Sequence, residues 1–285
     1  MPDTTEPSIS ASVAGTSVLT ESPLLYTKLR VPSTASALLP RPRLASQLEL
    51  RSDGLLTLLS APAGFGKTTL VASWFRQQSQ PVAWVTLDEQ DNDPILFWRY
   101  LIAALQEIDG RLGRQAQAAL ATPPLVTLES AVALLINDFA AYSAPETTVP
   151  VVLDDFQWIH NGVIHQSLNF LLQHQPPQLH LFLLTRADPP LSLARLRVEG
   201  RLVELRATDM RLSLPEMTTF LNEVMALGLS DETLALLAEQ TEGWMAGIQL
   251  AARSLHLRDE AAAASRLQSI AGARQHVFAY LMEEV

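Results

Sequence analysis

The run Ser60-Ala61-Pro62-Ala63-Gly64-Phe65-Gly66-Lys67-Thr68-Thr69 carries the residue types that hold phosphate. It lies between an apolar stretch, Leu55 to Leu59, and a helical stretch, Thr68 to Gln77. A loop in that context turns consecutive backbone N–H groups and a helix N-terminus toward an anion. Gly64 and Gly66 permit the twist and the close approach of the backbone. Lys67 supplies a point charge for the β- and γ-phosphates, Thr68 a hydroxyl for Mg²⁺, and Thr69 a contact to the α-phosphate. The strict P-loop pattern begins with glycine, and here that position is Ala61. The competing reading is a glycine-rich turn, and the strand-before, helix-after context favours a nucleotide. Ala61, Gly64, Phe65, Gly66, Lys67, Thr68 and Thr69 are therefore the candidate nucleotide-binding residues, with ATP or ADP and Mg²⁺ as the expected cofactors.

Two further clusters suit the same chemistry. Val151-Val152-Leu153-Asp154-Asp155 reads as a buried strand ending in two carboxylates. Asp154 takes the Walker-B role toward the Mg²⁺ held by Thr68, and Asp155 is the candidate to orient or deprotonate an attacking water. Adjacent strand residues face opposite sides, so the two acids could exchange roles. Alone, Asp-Asp could merely end a strand. In Leu183-Leu184-Thr185-Arg186-Ala187-Asp188, Thr185 and Arg186 follow another apolar run, at the edge where open α/β sheets bind ligands. Arg186 is a candidate γ-phosphate sensor, and the alternative is a surface arginine paired with Asp188.

These groups need a sheet to position them. Short apolar runs at Leu55–Leu59, Val82–Leu87, Val149–Leu153, Leu179–Leu184 and Leu202–Leu205 alternate with helical stretches. That alternation implies a parallel α/β sheet flanked by helices. The run Val82–Leu87 lies between the phosphate loop and Asp154 in sequence, which suggests a P-loop class with an added strand between the two Walker strands. Asp93-Pro94 starts a helix carrying Ile95, Trp98, Leu101, Ile102 and Leu105 at helical spacing. After about Thr208 the strand signals stop, and Ser213-Leu214-Pro215-Glu216 opens a small helical domain with a capping box. The expected organisation is a disordered leader over 1–25, a P-loop domain over 26–207 and a helical domain over 208–272.

Composition narrows the class. The 285 residues carry 20 basic and 30 acidic side chains, a net charge of −10, which argues against nucleic-acid binding by this chain. Only Lys28 and Lys67 are lysines, and cysteine is absent, which removes thiolate metal sites and cysteine nucleophiles. No apolar run reaches membrane-spanning length and no secretory signal opens the chain, so a cytoplasmic protein is expected.

The pieces together resemble the nucleotide-binding module of MalT-like regulators, large LuxR-type transcription factors of the STAND class of signalling ATPases. The resemblance runs through most of residues 26–256. It is carried by Lys28-Leu29-Arg30-Val31-Pro32, Arg41-Pro42-Arg43-Leu44, the phosphate loop, Trp84-Val85-Thr86-Leu87-Asp88, Phe97-Trp98-Arg99-Tyr100 and Leu153-Asp154-Asp155. Thr185-Arg186-Ala187-Asp188-Pro189-Pro190-Leu191 and Thr241-Glu242-Gly243-Trp244-Met245-Ala246-Gly247 complete it. It implies ATP held between the P-loop and helical domains, an ADP-bound resting state, release by an inducer, self-association of the parent protein, and hydrolysis as the reset. It also implies that Arg41 and Arg43 approach the base, and that residues 273–285 begin a winged-helix region. Gly247-Ile248-Gln249-Leu250-Ala251 is similar to a box whose proline packs on adenine, and Gln249 stands at that position. The sensor repeats and the DNA-binding helix-turn-helix of such regulators have no counterpart here, so the chain reads as a fragment or a short product. A small-molecule kinase and a non-hydrolysing nucleotide-binding scaffold are the alternative functions.

Other features read as structural. Asp88, Asp91 and Asp93 lack the glycine and late glutamate of a calcium loop. His160 and His165 have no metal-ligand spacing and read as surface residues. Trp98, Trp158 and Trp244 read as core or domain-contact groups.

Overall fold

A computed structural model describes residues 23–33, 39–48, 56–121, 127–141 and 148–256. Most of the expected leader, residues 257–272 of the expected helical domain and the 273–285 region lie outside the described residues. A 3-10 turn, Tyr26–Leu29, precedes α1 (Pro42–Ala45). Next come β1 (Leu56–Ser60), α2 (Lys67–Gln78), β2 (Ala83–Thr86), α3 (Pro94–Ile108), α4 (Arg114–Ala121) and α5 (Leu128–Ala140). β3 (Val149–Asp154), α6 (Gly162–Gln173), β4 (Leu179–Thr185), α7 (Leu193–Val198) and β5 (Leu202–Arg206) complete the α/β part. α8 (Ala207–Met210), α9 (Leu214–Thr218), a π-type turn over Thr219–Val224, α10 (Asp231–Thr241) and α11 (Met245–His256) follow.

Among the described residues five strands form one sheet in the order β2-β3-β4-β1-β5. Every pair is parallel, with Leu58 opposite Leu183 and Glu204, and Leu153 opposite Leu183 and Val85. The expected parallel α/β class is the one found. The strand that separates β1 from β3 in space is β4, whereas β2, which separates them in sequence, lies on the sheet edge.

Strand burial explains the apolar runs. All residues of β1, β3 and β4 are buried because helices cover both faces. Side chains alternate across the sheet: Leu56, Leu58, Val151, Leu153, Leu181 and Leu183 enter one core layer with α3, α5 and α6. Leu59, Val152, Phe182 and Leu184 enter the other, against Val71, Trp74 and Phe75 of α2. Edge strand β5 is more exposed and carries Glu204 and Arg206, charges that suit an edge.

The helices begin where local chemistry dictates. Asp93 caps α3 by accepting from the Leu96 N–H at 2.7 Å, with Pro94 at the first helical position. Ser213 and Glu216 form the capping box of α9. Leu212, Met217, Phe220, Leu221, Leu234, Leu237 and Ile248 then build a third core, separate from the two sheet layers.

Lys28 anchors the N-terminal segment. Its ammonium lies 2.7 Å from Asp88 and 2.7 Å from the fully buried Asp91, above the Tyr100 ring. Burial pulls its pKa down, but the two carboxylates outweigh that and hold it above the usual lysine value. The aspartate cluster is thus an ion-pair and capping site: Asp88 caps the turn Glu89–Asn92. His165 is not a surface residue. It is buried, its Nε2 lies 3.0 Å from the Ile159 carbonyl, and burial lowers its pKa. His160 is exposed. Trp98 is buried and donates to Ser167 Oγ at 2.9 Å, whereas Trp158 is half-buried. No helix among the described residues is long and apolar enough to cross a membrane.

Lys28→Met strands the Asp91 carboxylate in the core, and removing one partner of a buried pair costs about 3 to 5 kcal/mol. Urea denaturation should read that loss, and a change below ~0.5 kcal/mol would show that the pair does not hold the segment.

Candidate phosphate-binding site

The parallel sheet brings the C-terminal ends of β1, β3 and β4 to one edge, and the candidate residues collect there. β1 ends at Ser60, and the loop from Ala61 to Gly66 leads into α2 at Lys67. The loop is tied to the neighbouring strand by the Ala61 N–H, which donates to the Thr185 carbonyl at 3.2 Å. Gly64 and Gly66 have φ values of 77° and 81°, in the left-handed region that favours glycine. The Gly66 carbonyl accepts the Leu70 N–H at 2.8 Å, so α2 starts directly from the loop.

Lys67 is buried, and its ammonium donates to the carbonyls of Ala61 at 2.7 Å and Pro62 at 3.1 Å. Thr68 donates its hydroxyl to Asp154 Oδ1 at 2.9 Å. The same oxygen accepts the Asp155 N–H at 3.0 Å. Asp155 itself sits at φ 57° and accepts from Gln157 Nε2 at 2.9 Å. Phe65 is half-buried against the α2 core layer, and Thr69 is exposed on the first turn of α2.

Electrostatics sets this edge apart. Burial lowers the Lys67 pKa to about 8; the Asp155 and Asp154 carboxylates pull it up and Arg186 pushes it down. Burial raises the Asp154 pKa to about 7, with repulsion from Asp155 adding to it and the Thr68 hydroxyl opposing. A cation and an anion are thus both pushed toward neutrality within one crevice. A phosphate beside Lys67 and a divalent cation beside Thr68 and Asp154 would each supply the missing counter-charge. Arg186 adds a second cation: its Nη1 is buried with no hydrogen-bond partner among the described residues. Asp188 is taken by other groups, accepting from Ser60 Oγ at 3.0 Å and pairing with Arg206. The residues at this edge fit a magnesium–nucleotide complex.

Arg41 and Arg43 are directed elsewhere. Arg41 donates to the carbonyls of Met210 at 2.8 Å and Arg211 at 2.9 Å and pairs with Glu216. Arg43 donates to the Asp209 carbonyl at 2.5 Å. Both arginines therefore hold the connector between β5 and α9.

Three residues outside the sequence-derived set join the site. Gln157 orients Asp155, as above. Trp244 Nε1 donates to the Ala63 carbonyl at 3.1 Å, and the Ala246 N–H donates to the Gly64 carbonyl at 3.0 Å. Gln249 is exposed. The spacing Gly243-Trp244-x-x-Gly247 is the one sequence signal for this contact. Its target, about 180 positions earlier, has none.

In the absence of nucleotide and cation, Asp154 works against the fold at neutral pH. The unfolded chain releases this proton near the ordinary carboxylate value of 3.8 and the folded chain only near 7. Stability from this group is therefore full at low pH and is lost as pH rises between those values. Asp154→Asn lacks this loss, so it should gain a few kcal/mol on the wild type between about pH 4 and 8. Urea denaturation in a chelator reads the difference, and one that does not vary with pH would contradict the assignment.

The AAA ATPase domain model matches residues 41–184. The HTH-type transcriptional regulator MalT of Serratia proteamaculans is 34% identical over 262 residues, spanning 92% of this chain and 28% of that protein. MalT of Yersinia enterocolitica is 33% identical over 262 residues, spanning 92% of this chain and 29% of that protein. The chain thus covers under a third of the length of these curated relatives. Among solved structures, a chain of Drosophila ORC bound to DNA aligns over 96% of this chain and 73% of its own length, at 16% identity and TM-score 0.46. With about half of its residues under the family model, and MalT-like over nearly all of its length, the chain belongs to the AAA ATPase domain family.

Proposed function

We propose that this chain is the ATP-binding, slowly hydrolysing switch module of a MalT-like LuxR-family transcriptional regulator acting in the cytoplasm. The observation that carries the reading is the Thr68–Asp154 hydrogen bond, beside a buried lysine and an arginine whose Nη1 has no partner among the described residues. The backbone from Ala61 to Thr69 cradles the phosphates, and Lys67 neutralises them. Thr68 and Asp154 hold Mg²⁺, which spreads the charge of the phosphate oxygens when bound. Asp155, oriented by Gln157, accepts the proton of an attacking water on its carboxylate. Arg186 binds the terminal phosphate and so distinguishes ATP from ADP.

The switch reading draws its support from the contact between α11 and the phosphate loop. A helical segment touching the nucleotide cradle can respond to the number of phosphates bound, and that response can pass to parts of a longer protein. The relatives' description as HTH-type transcriptional regulators supports an output in transcription, through regions of the parent outside this chain. The charge of −10 argues that DNA contact belongs to those regions and not to this one. Self-association would likewise belong to the parent protein. Arg41 and Arg43 support the connector that carries α9 to α11, and no base contact is given to them.

Lys67→Ala should abolish Mg-ATP binding in calorimetry, and unchanged affinity would sink the site. Asp155→Asn should keep binding and lower hydrolysis by about 100-fold or more, the usual worth of a general base. Lost binding in Asp155→Asn with normal binding in Asp154→Asn would exchange the roles of the two acids. Phosphate transfer to an added small-molecule acceptor, in place of release to water, would favour a kinase.

A further inference from the structure

The motif Gly243-Trp244-Met245-Ala246-Gly247 has no part in the phosphate chemistry, yet it is built around one contact. Two donors from the start of α11 hold two consecutive carbonyls of the phosphate loop. They are Trp244 Nε1 on Ala63 O at 3.1 Å and Ala246 N–H on Gly64 O at 3.0 Å. The two carbonyls before them, Ala61 O and Pro62 O, accept from Lys67. Four successive loop carbonyls are therefore all held, two from within the loop motif and two by α11.

Both flanking glycines make room for the same indole. A Cβ on Gly64 would lie 2.8 Å from Trp244 Nε1 and 2.6 Å from Ala246 Cβ. A Cβ on Gly247 would lie 2.7 Å from Trp244 Cε3. Glycine inside a helix costs about 1 kcal/mol relative to alanine, and the indole gives Gly247 its reason. Gly243, at φ 73°, closes the approach: its carbonyl accepts the Leu212 N–H at 2.9 Å, and a Cβ there would meet Leu212 O at 2.6 Å.

A planar trans peptide points its C=O and N–H in opposite directions. Holding Ala63 O and Gly64 O toward α11 therefore turns the N–H groups of Gly64 and Phe65 away from it. Amide direction is what makes such a loop an anion nest. We propose that Trp244 is a positioning residue for the phosphate loop, and that its clamp couples nucleotide affinity to the docking of α11. This rests on the reading of the loop as a nucleotide site. Linkage makes the coupling reciprocal: whatever strengthens the clamp tightens nucleotide, and nucleotide tightens the clamp.

Two variants of the full chain test this by titration with Mg-ADP in calorimetry, with Lys67→Ala as control. Trp244→Phe keeps the ring and removes the donor, and one hydrogen bond is worth about 3- to 10-fold in Kd. Gly247→Ala pushes the indole off the loop without touching the phosphate site. A purely structural role predicts that the clash at the indole costs stability alone and leaves Mg-ADP affinity unchanged in the folded protein. The clamp predicts weaker Mg-ADP binding in both, with less ADP-induced protection of α11 amides from hydrogen exchange than in the wild type. If both variants bind and protect as the wild type does while Lys67→Ala fails to bind, the clamp is wrong and the nucleotide site stands. No binding of Mg-ADP or Mg-ATP by the wild type overturns both.

Discussion

Every strand pair is parallel, so all five C-terminal ends lie at one edge of the sheet. The site depends on this constraint. It places the loop after Ser60, the acids after Leu153 and the arginine after Thr185 within reach of one another, although they are far apart in the chain. Spatial order then sets the spacing. With β4 between β1 and β3, Thr68 can extend from the first turn of α2 to Asp154, while Arg186 leaves the intervening strand beside Lys67. A parallel sheet demands helices on both faces to cover it. The fully buried strands and the two apolar layers follow from the same requirement.

The chain uses its two lysines in opposite ways. Lys28 is held between two carboxylates, which fix its charge and tie the N-terminal segment to the α3 end of the sheet. Lys67 is turned onto backbone carbonyls, and burial weakens its hold on its proton. The first arrangement satisfies a buried aspartate. The second keeps a cation beside a protonatable Asp154 at a cost in stability that a bound phosphate and metal would offset. Such tension is common where a fold is shaped for a ligand rather than for its own minimum.

The helical segment after β5 is joined to the rest of the protein by two separate sets of contacts. Arg41, from the N-terminal segment, grips Met210, Arg211 and Glu216, and Arg43 grips Asp209. Farther along, Trp244 and Ala246 meet the phosphate loop. The first set reaches the connector and the second the nucleotide cradle. A displacement of α11 is therefore a displacement of groups that hold loop peptides.

Local chemistry was readable from the residues themselves. The phosphate loop, the caps at Asp93 and Ser213, and the apolar strands depend on neighbours within a few positions, so the sequence alone determined the parallel α/β class and the P-loop. Short-range patterns could not order the strands, because the run Val82–Leu87 looks alike whether central or at the edge. Neither could they decide that His165 is buried, that Asp188 pairs with Arg206 instead of Arg186, or that Arg41 serves the connector. The partners of Asp188 and Arg41 lie 18 and 175 positions away, and each of these two choices is an exchange of one hydrogen bond or ion pair for another of similar energy. Trp244 makes the same point: its type and neighbours marked a core or domain-contact group, but only the folded chain decided that its partner was the phosphate loop.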